Sequence, residues 1–379
     1  MGRRPRARAA AYRLPSASLL EDRMSPRWAE FDAGPNRPAR GRWPLRVPAG
    51  YPGPRGGKQV VTTVIAPAGV QALQVLTVLF AAPLVSGVTS HVEARFQGRR
   101  GPRVLQSYYD LAKLFRKETV VPEGSSWVFL AGPVVAFGCY LIVPLLIPVL
   151  TTYGLPLGYM GDILGGGMVL ALGGFATALA ASDSGAPYAQ LGASRATTFG
   201  ALIEPTVLFV VFIVAMITST DLPYALAATV RSSSEAVRPS HVLVAVAFFL
   251  VVLADTGRIP VETHSGTIEF GMIDEARALE HSGAPFALTK WGSAIKQLVL
   301  YTILINVFVA PWGLASSGKV LDVLVAVLSL VGKALLLGVI FALIDNSFSK
   351  LRLFKITEYL AAAFLLACLG VLVFYVGGA

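Results

Sequence analysis

The stretch GSSWVFLAGPVVAFGCYLIVPLLIPVLTTYGLPLGYMG, residues 124–161, contains no Asp, Glu, Lys or Arg. A helix rises about 1.5 Å per residue, so roughly 20 such residues cross a hydrocarbon core, and this run is long enough to do so. Three further stretches, Gln59–Ser90, Ile163–Ser182 and Gln297–Gly318, are equally free of charge. Over the whole chain of 379 residues, 54% are hydrophobic and 14% are charged. A soluble domain carries about 25% charged residues. The expected fold is therefore all-α: a polytopic membrane protein of about eight transmembrane helices plus a cytoplasmic amphipathic helix. Spans are expected near 66–89, 127–150, 163–182, 198–220, 239–257, 294–315, 321–344 and 356–377.

The net charge of +10 suggests nucleic acid only until it is located. Residues 1–58 hold 13 of the 32 Lys+Arg, 4 of the 22 Asp+Glu and nine prolines, leaving the remaining chain close to neutral. Domains are read as a disordered basic Arg/Pro-rich tail, 1–58, and a transmembrane helical domain, 59–379. The tail lacks the apolar core and cleavage site of a secretory signal. It is expected to be a start-site artefact, with the mature protein beginning near Met24 or near Val60–Val64. N-terminal sequencing that recovered Met1 or Gly2 would sink that expectation.

Orientation follows from Lys and Arg in short loops. Loops 90–126, 183–197 and 345–355 share one side and carry most of them, including Arg95, Arg99, Arg100, Arg103, Arg195 and Lys350. That side is read as cytoplasmic and both termini as outside. Prolines 144 and 148 should kink or end the second span. Gly165, Gly166, Gly167, Gly173 and Gly174 point to close helix packing in the third. Within the first loop, Val104, Leu105, Tyr108, Leu111, Ala112 and Phe115 recur at helical spacing. They describe a short amphipathic helix, set either along lipid headgroups or against a partner.

The groups that stand out are those that lipid alone does not tolerate. Glu204 falls in the fourth span, Asp255 near the end of the fifth, Lys333 in the middle of the seventh and Glu358 just inside the eighth. Each costs about 2.5–3.5 kcal/mol to insert unless it is paired, hydrated or neutralised. An interhelical ion pair or snorkelling toward the interface is the plain alternative. Loop 255–283, DTGRIPVETHSGTIEFGMIDEARALEHSG, is the richest stretch. Ser265 can cap a helix with Ile268, Met272, Ala276 and Leu279 on its apolar side, ended by Gly283. Glu262, Glu269, Asp274, Glu275 and Glu280 crowd it, with Arg258 and Arg277 as counter-charges. Cys139 and Cys368 lie far apart inside spans, and the histidines at 91, 241, 264 and 281 show no metal-ligand spacing. No Walker loop, dinucleotide fingerprint or Ser-His-Asp pattern is present, so the chain is expected to perform no bond chemistry by itself. No internal repeat between halves supports a stand-alone solute carrier.

Taken together, EARFQGRRGPRVLQSYYDLAKLFRKE (93–118), DSGAPYAQLGASR (183–195) and the 255–283 loop resemble the subunit shared by respiratory complex I and the membrane-bound group 4 nickel–iron hydrogenases. The resemblance runs from about residue 66 to the C-terminus. The tract IEFGMIDEARALEHSG is similar to the formate hydrogenlyase subunit 4 branch, although Asp255 stands where Glu is common and Thr-His-Ser follows Glu262. This resemblance implies a bacterial or archaeal cytoplasmic membrane. It also implies a chain that binds no cofactor itself and anchors partners. Those partners are hydrogenase-like large and small subunits holding iron–sulfur clusters and a nickel–iron site, together with antiporter-like membrane subunits. It assigns ion coupling to Glu204, Asp255, Glu262 and Glu269, with Lys333 added from its membrane depth alone. Arg195, Arg258, Glu275 and Glu280 are expected to contact the partner arm. The complex I subunit, with a quinone-entry cavity beside Glu204, is the alternative.

Overall fold

The structure is a computed structural model, and residues 65–220, 222–224, 238–257, 274–347 and 353–376 of it are described. The tail 1–58, Arg258, Glu262, Glu269 and the helix expected from Ser265 lie outside the described residues. Among those described, the regular structure is helical apart from one isolated parallel bridge, Thr151 to Ala315. The helices are α1 (Pro67–Phe96), α2 (Gln106–Phe115), α3 (Trp127–Leu146), α4 (Ile163–Asp183) and α5 (Pro187–Thr218). They continue as α6 (Pro239–Asp255), α7 (Asp274–Arg277), α8 (Gly283–Ile303, extended by a π turn Leu304–Val309), α9 (Val320–Ser347) and α10 (Leu353–Val376).

Local chemistry explains where they start and stop. Helices α1, α5 and α6 each open on a proline, whose fixed φ suits a first turn and whose missing N–H would have no intrahelical partner there. At the start of α3, Asp183 from the end of α4 accepts from the backbone N–H groups of Ser126 (2.8 Å) and Phe129 (3.0 Å). An anion at a helix N-terminus satisfies donors the helix itself cannot. Asp162 does the same for α4 by accepting from Gly165 N at 3.0 Å. Helix α3 ends at Leu146, just after Pro144, as the prolines predict. The carbonyls and amides freed at that break are taken up by Gln74, which is fully buried in α1. It donates to the carbonyls of Pro144 and Ile147 and accepts from Val149 N and Leu150 N.

Among the described residues, seven helices are long and apolar enough to cross a membrane: α1, α3, α4, α5, α8 with its π turn, α9 and α10. The remaining expected span, near 239–257, is α6, which is apolar but only 17 residues long. At 1.5 Å per residue it reaches about 25 Å, so its terminal Asp255 stands close to hydrocarbon depth. Two expected boundaries need correction. The fourth span begins at Pro187, so most of the 183–197 loop is the first turns of α5. The sixth begins at Gly283 and not near 294, which carries Lys290 into α8 and moves Lys296 from its first turn to its middle. Gly283 opens that helix instead of ending the one before it.

In lipid there is no water to exclude between helices, so packing rests on close approach and interhelical hydrogen bonds. Glycines supply the approach between α3 and α4. A Cβ on Gly132 would lie 2.5 Å from Ala180 Cβ, and one on Gly173 would lie 2.5 Å from the Tyr140 ring. This is the close packing expected of the glycine-rich third span. Trp291 Nε1 of α8 donates to the Leu79 carbonyl of α1 at 3.0 Å, and Tyr359 Oη of α10 donates to Leu250 O of α6 at 2.8 Å.

The connections fall into two ends. At one, Ser126 meets Asp183, and Val120 N donates to Ser282 Oγ at 2.7 Å. At the other, Ile65 N donates to Gly318 O, Ala315 N to Leu150 O and Thr152 N to Ala315 O. The connections 90–126 and 183–197, grouped on one side by charge, therefore meet at the first end. Helix α2 also lies there. Tyr108 donates to the Phe80 carbonyl, and the Phe115 ring meets Trp291 edge-on with centroids 6.2 Å apart.

Candidate functional site

Helices α4 and α5 present facing stripes at helical spacing: Gly167, Ala171, Gly174 and Ala178 on one, Thr197, Gly200, Ala201 and Glu204 on the other. Small side chains on both leave a gap, which α6, α8 and the start of α10 close on the inner side. The result is a cavity of about 420 Å³ with mostly apolar walls. Among the described residues, four charged ones line it: Glu204 from α5, Asp255 from α6, Arg277 from α7 and Lys296 from α8.

Each is placed by a specific local feature. Glu204 sits midway along α5, immediately before Pro205. Proline has no N–H, so the Ala201 carbonyl one turn back loses its helical donor, and Ala201 also lines the cavity. Glu204 is exposed on the surface of this chain. Asp255 ends α6, where Gly257 takes a left-handed φ of 65° and turns the chain away. Its Oδ1 is 2.6 Å from Lys296 Nζ, with the two side chains 19% and 20% exposed. Arg277 is carried in by α7, which lies so close to α5 that a Cβ on Gly192 would come within 2.7 Å of Ala276 Cβ. Its guanidinium donates to Thr177 Oγ1 of α4 at 3.0 Å. Two acids and two bases thus share one apolar-walled space. Against apolar walls, one proton added to or lost from such a group changes the charge that its neighbours must answer.

The sequence-predicted residues divide. Glu204 and Asp255 meet at this cavity. Lys333 does not: it stands in α9 with 8% of its surface exposed, and its Nζ donates to the carbonyls of Ala310 (2.8 Å) and Trp312 while lying 4.3 Å from the Trp312 ring centroid. These groups follow the π turn, so Lys333 serves the carbonyl-rich end of α8. Arg195 is half-buried on α5, Glu280 is exposed, and Glu275 stands 3.9 Å from Lys290. Glu358 is exposed at the start of α10. Sequence reasoning missed Lys296 and gave Arg277 only a loop role. The signal was Ser282 followed by Pro285, a helix-start pattern that puts position 296 well inside a span. In the connection between α7 and α8, His281 stacks on Phe129 with ring centroids 4.3 Å apart, and burial pushes its imidazole down to about 4. Both cysteines are unpaired, and no cluster of three or more His, Cys, Asp or Glu suited to a metal occurs among the described residues.

The sequence profile described as NADH dehydrogenase matches residues 70–376. The chain belongs to that family. Within it, the chain is 33% identical over 285 residues to "Formate hydrogenlyase subunit 4" of Escherichia coli (strain K12), covering 74% of this chain and 90% of that protein. "Hydrogenase-4 component C" of the same organism is 30% identical, with 78% and 92% covered. An NADH-quinone oxidoreductase subunit of Granulibacter bethesdensis is 27% identical, with 64% and 72% covered. Among solved structures, a chain of the membrane-bound sulfane sulfur reductase, an archaeal respiratory membrane complex, shares the fold with a TM-score of 0.68. It is 20% identical, and 81% of this chain and 99% of that one are covered. The NADH dehydrogenase family thus carries both the fold and the span of the sequence that had suggested it.

Proposed function

We propose that this chain is the membrane-anchoring and ion-coupling subunit of a hydrogenase- or formate-hydrogenlyase-type redox complex. It links electron transfer in a peripheral arm to translocation of protons or sodium. The observation that carries the reading is the cavity in which Glu204 and Asp255, far apart in sequence, face one another's space with two cations. The higher identity and coverage of the two hydrogenase-type relatives favour this branch. Partner subunits would hold the iron–sulfur clusters and the nickel–iron site. The end of the bundle bearing Arg195, Glu275 and Glu280 would receive that arm, and antiporter-like subunits would lie within the membrane. The exposed Glu204 supports a protein neighbour there, since lipid is a poor cover for a carboxylate. The charge distribution supports a cytoplasmic membrane location with both termini outside.

Glu204→Gln in the reconstituted complex tests the reading. Electron transfer should persist while ion transport falls to background, and transport at the wild-type level would reduce the chain to a passive anchor. The family relation to NADH-quinone oxidoreductase supports a second reading, a complex I subunit with a quinone-entry cavity. Nickel in the purified complex would exclude it, and NADH oxidation without nickel would favour it.

A further inference from the structure

Lys296 is built into the cavity by position. It stands mid-helix in α8, with its Nζ 2.6 Å from Asp255 of α6. Helix α6 otherwise packs on α5, on α10 and on the π turn. The ion pair therefore ties the charged end of α6 to the α-helical part of α8. Among the described residues, Tyr140 from α3 and Arg277 from α7 are the further titratable groups close enough to act on Lys296, and Glu204 from α5 lines the same cavity. An ammonium among two carboxylates follows whichever of them keeps its charge. Lysine suits this task because its charge is compact and sits on a four-carbon stem, whereas a guanidinium prefers a fixed planar fork.

We propose that Lys296 is the exchangeable counter-charge of the coupling site. It holds Asp255 ionised while the two are paired, and it turns to Glu204 when Asp255 takes up a proton. The idea rests on the ion-coupling reading above. In the step, one proton from water at the arm-bearing end adds to a carboxylate oxygen of Asp255. No other covalent bond forms or breaks, and Lys296 keeps its own protons. Opening the pair frees the end of α6 from α8 and brings the positive charge to Glu204. Loss of the Asp255 proton reverses the movement.

The test uses the complex purified through the full chain and reconstituted in vesicles. Its readouts are electron transfer, ion transport per electron, and infrared difference spectra on turnover. The double variant Asp255→Asn with Lys296→Met keeps size and removes both charges together, so it should assemble and transfer electrons. Ion transport should fall at least about tenfold, because nothing is left to exchange. A protonated-carboxyl band should arise on turnover, vanish in Asp255→Asn and shift in Lys296→Gln. Wild-type transport by the double variant would overturn the proposal and leave the pair a structural tie. If the double variant does not assemble, the wild-type spectrum decides, and a band unaffected by Asp255→Asn also overturns it. Loss of transport in Glu204→Gln alongside normal transport in the double variant removes this inference alone. Normal transport in Glu204→Gln removes the reading beneath it.

Discussion

Lys296 and Lys333 are both lysines in the middle of long membrane helices, and both are largely buried, yet the fold answers their charges differently. Lys296 faces a carboxylate, with a second carboxylate in the same cavity. Lys333 faces two backbone carbonyls and an indole ring. Carbonyls and indoles do not take up protons near neutral pH, so the partners of Lys333 hold it in every protonation state. A carboxylate can be neutralised, so the partner of Lys296 can release it. Membrane depth alone does not say whether a buried cation can be released; the chemistry of its partner does.

The largest effect should come from breaking the charged pair on one side only. Asp255→Leu takes away the carboxylate in contact with the Lys296 ammonium for good and leaves it only the exposed Glu204 to turn to across an apolar-walled cavity. Removing one member of a buried pair costs about 3–5 kcal/mol. The purified complex should unfold at a clearly lower temperature, and adding Lys296→Met should restore most of that loss. Failure of the second substitution to restore it would show that Asp255 stabilises the bundle through something other than Lys296.

Lys333→Met should cost less. It removes charge-assisted hydrogen bonds to Ala310 O and Trp312 O, and it also removes the penalty of burying an ammonium. The net loss is expected to be about 2 kcal/mol in thermal unfolding. Ion transport per electron should be unchanged. A drop in transport with assembly intact would return Lys333 to the coupling route and break the contrast with Lys296.

The sequence made the bundle legible wherever the charge-free runs were long, as in α3, α4 and α9. It misled at the starts of α5 and α8, for one physical reason. Both helices begin at the same end of the bundle with polar or basic residues, such as Arg195 and Lys290. A search for uninterrupted apolar runs cuts such a helix at its first charge. Long basic side chains reach an interface or a partner from inside the span, so the helix continues where the run stops. Glu204 and Asp255 were legible because an acid inside an apolar segment has few plain explanations. Their meeting was not, because it depends on how α4, α5, α6 and α8 pack. The partners of Lys333 were hidden for a related reason: a carbonyl acceptor looks the same at every position in a sequence.

The smallest effect should come from His281, in the connection between α7 and α8. Its imidazole is buried against Phe129, and desolvation lowers its pKa from 6.5 to about 4. Above 6.5 the ring is neutral in folded and unfolded chains alike, so it adds no pH dependence there. Below 6.5 the unfolded chain binds a proton that the folded chain refuses, so stability falls as pH drops toward 4. At about pH 5.5 the loss should be about 1 kcal/mol. It should appear as faster amide exchange confined to residues 274–282, and His281→Phe should abolish it while leaving exchange around Lys333 unchanged. If exchange near Lys333 quickened to the same degree on acidification, the two ends of the bundle would share one proton-sensitive behaviour, and the carbonyl-held lysine would no longer mark a static end.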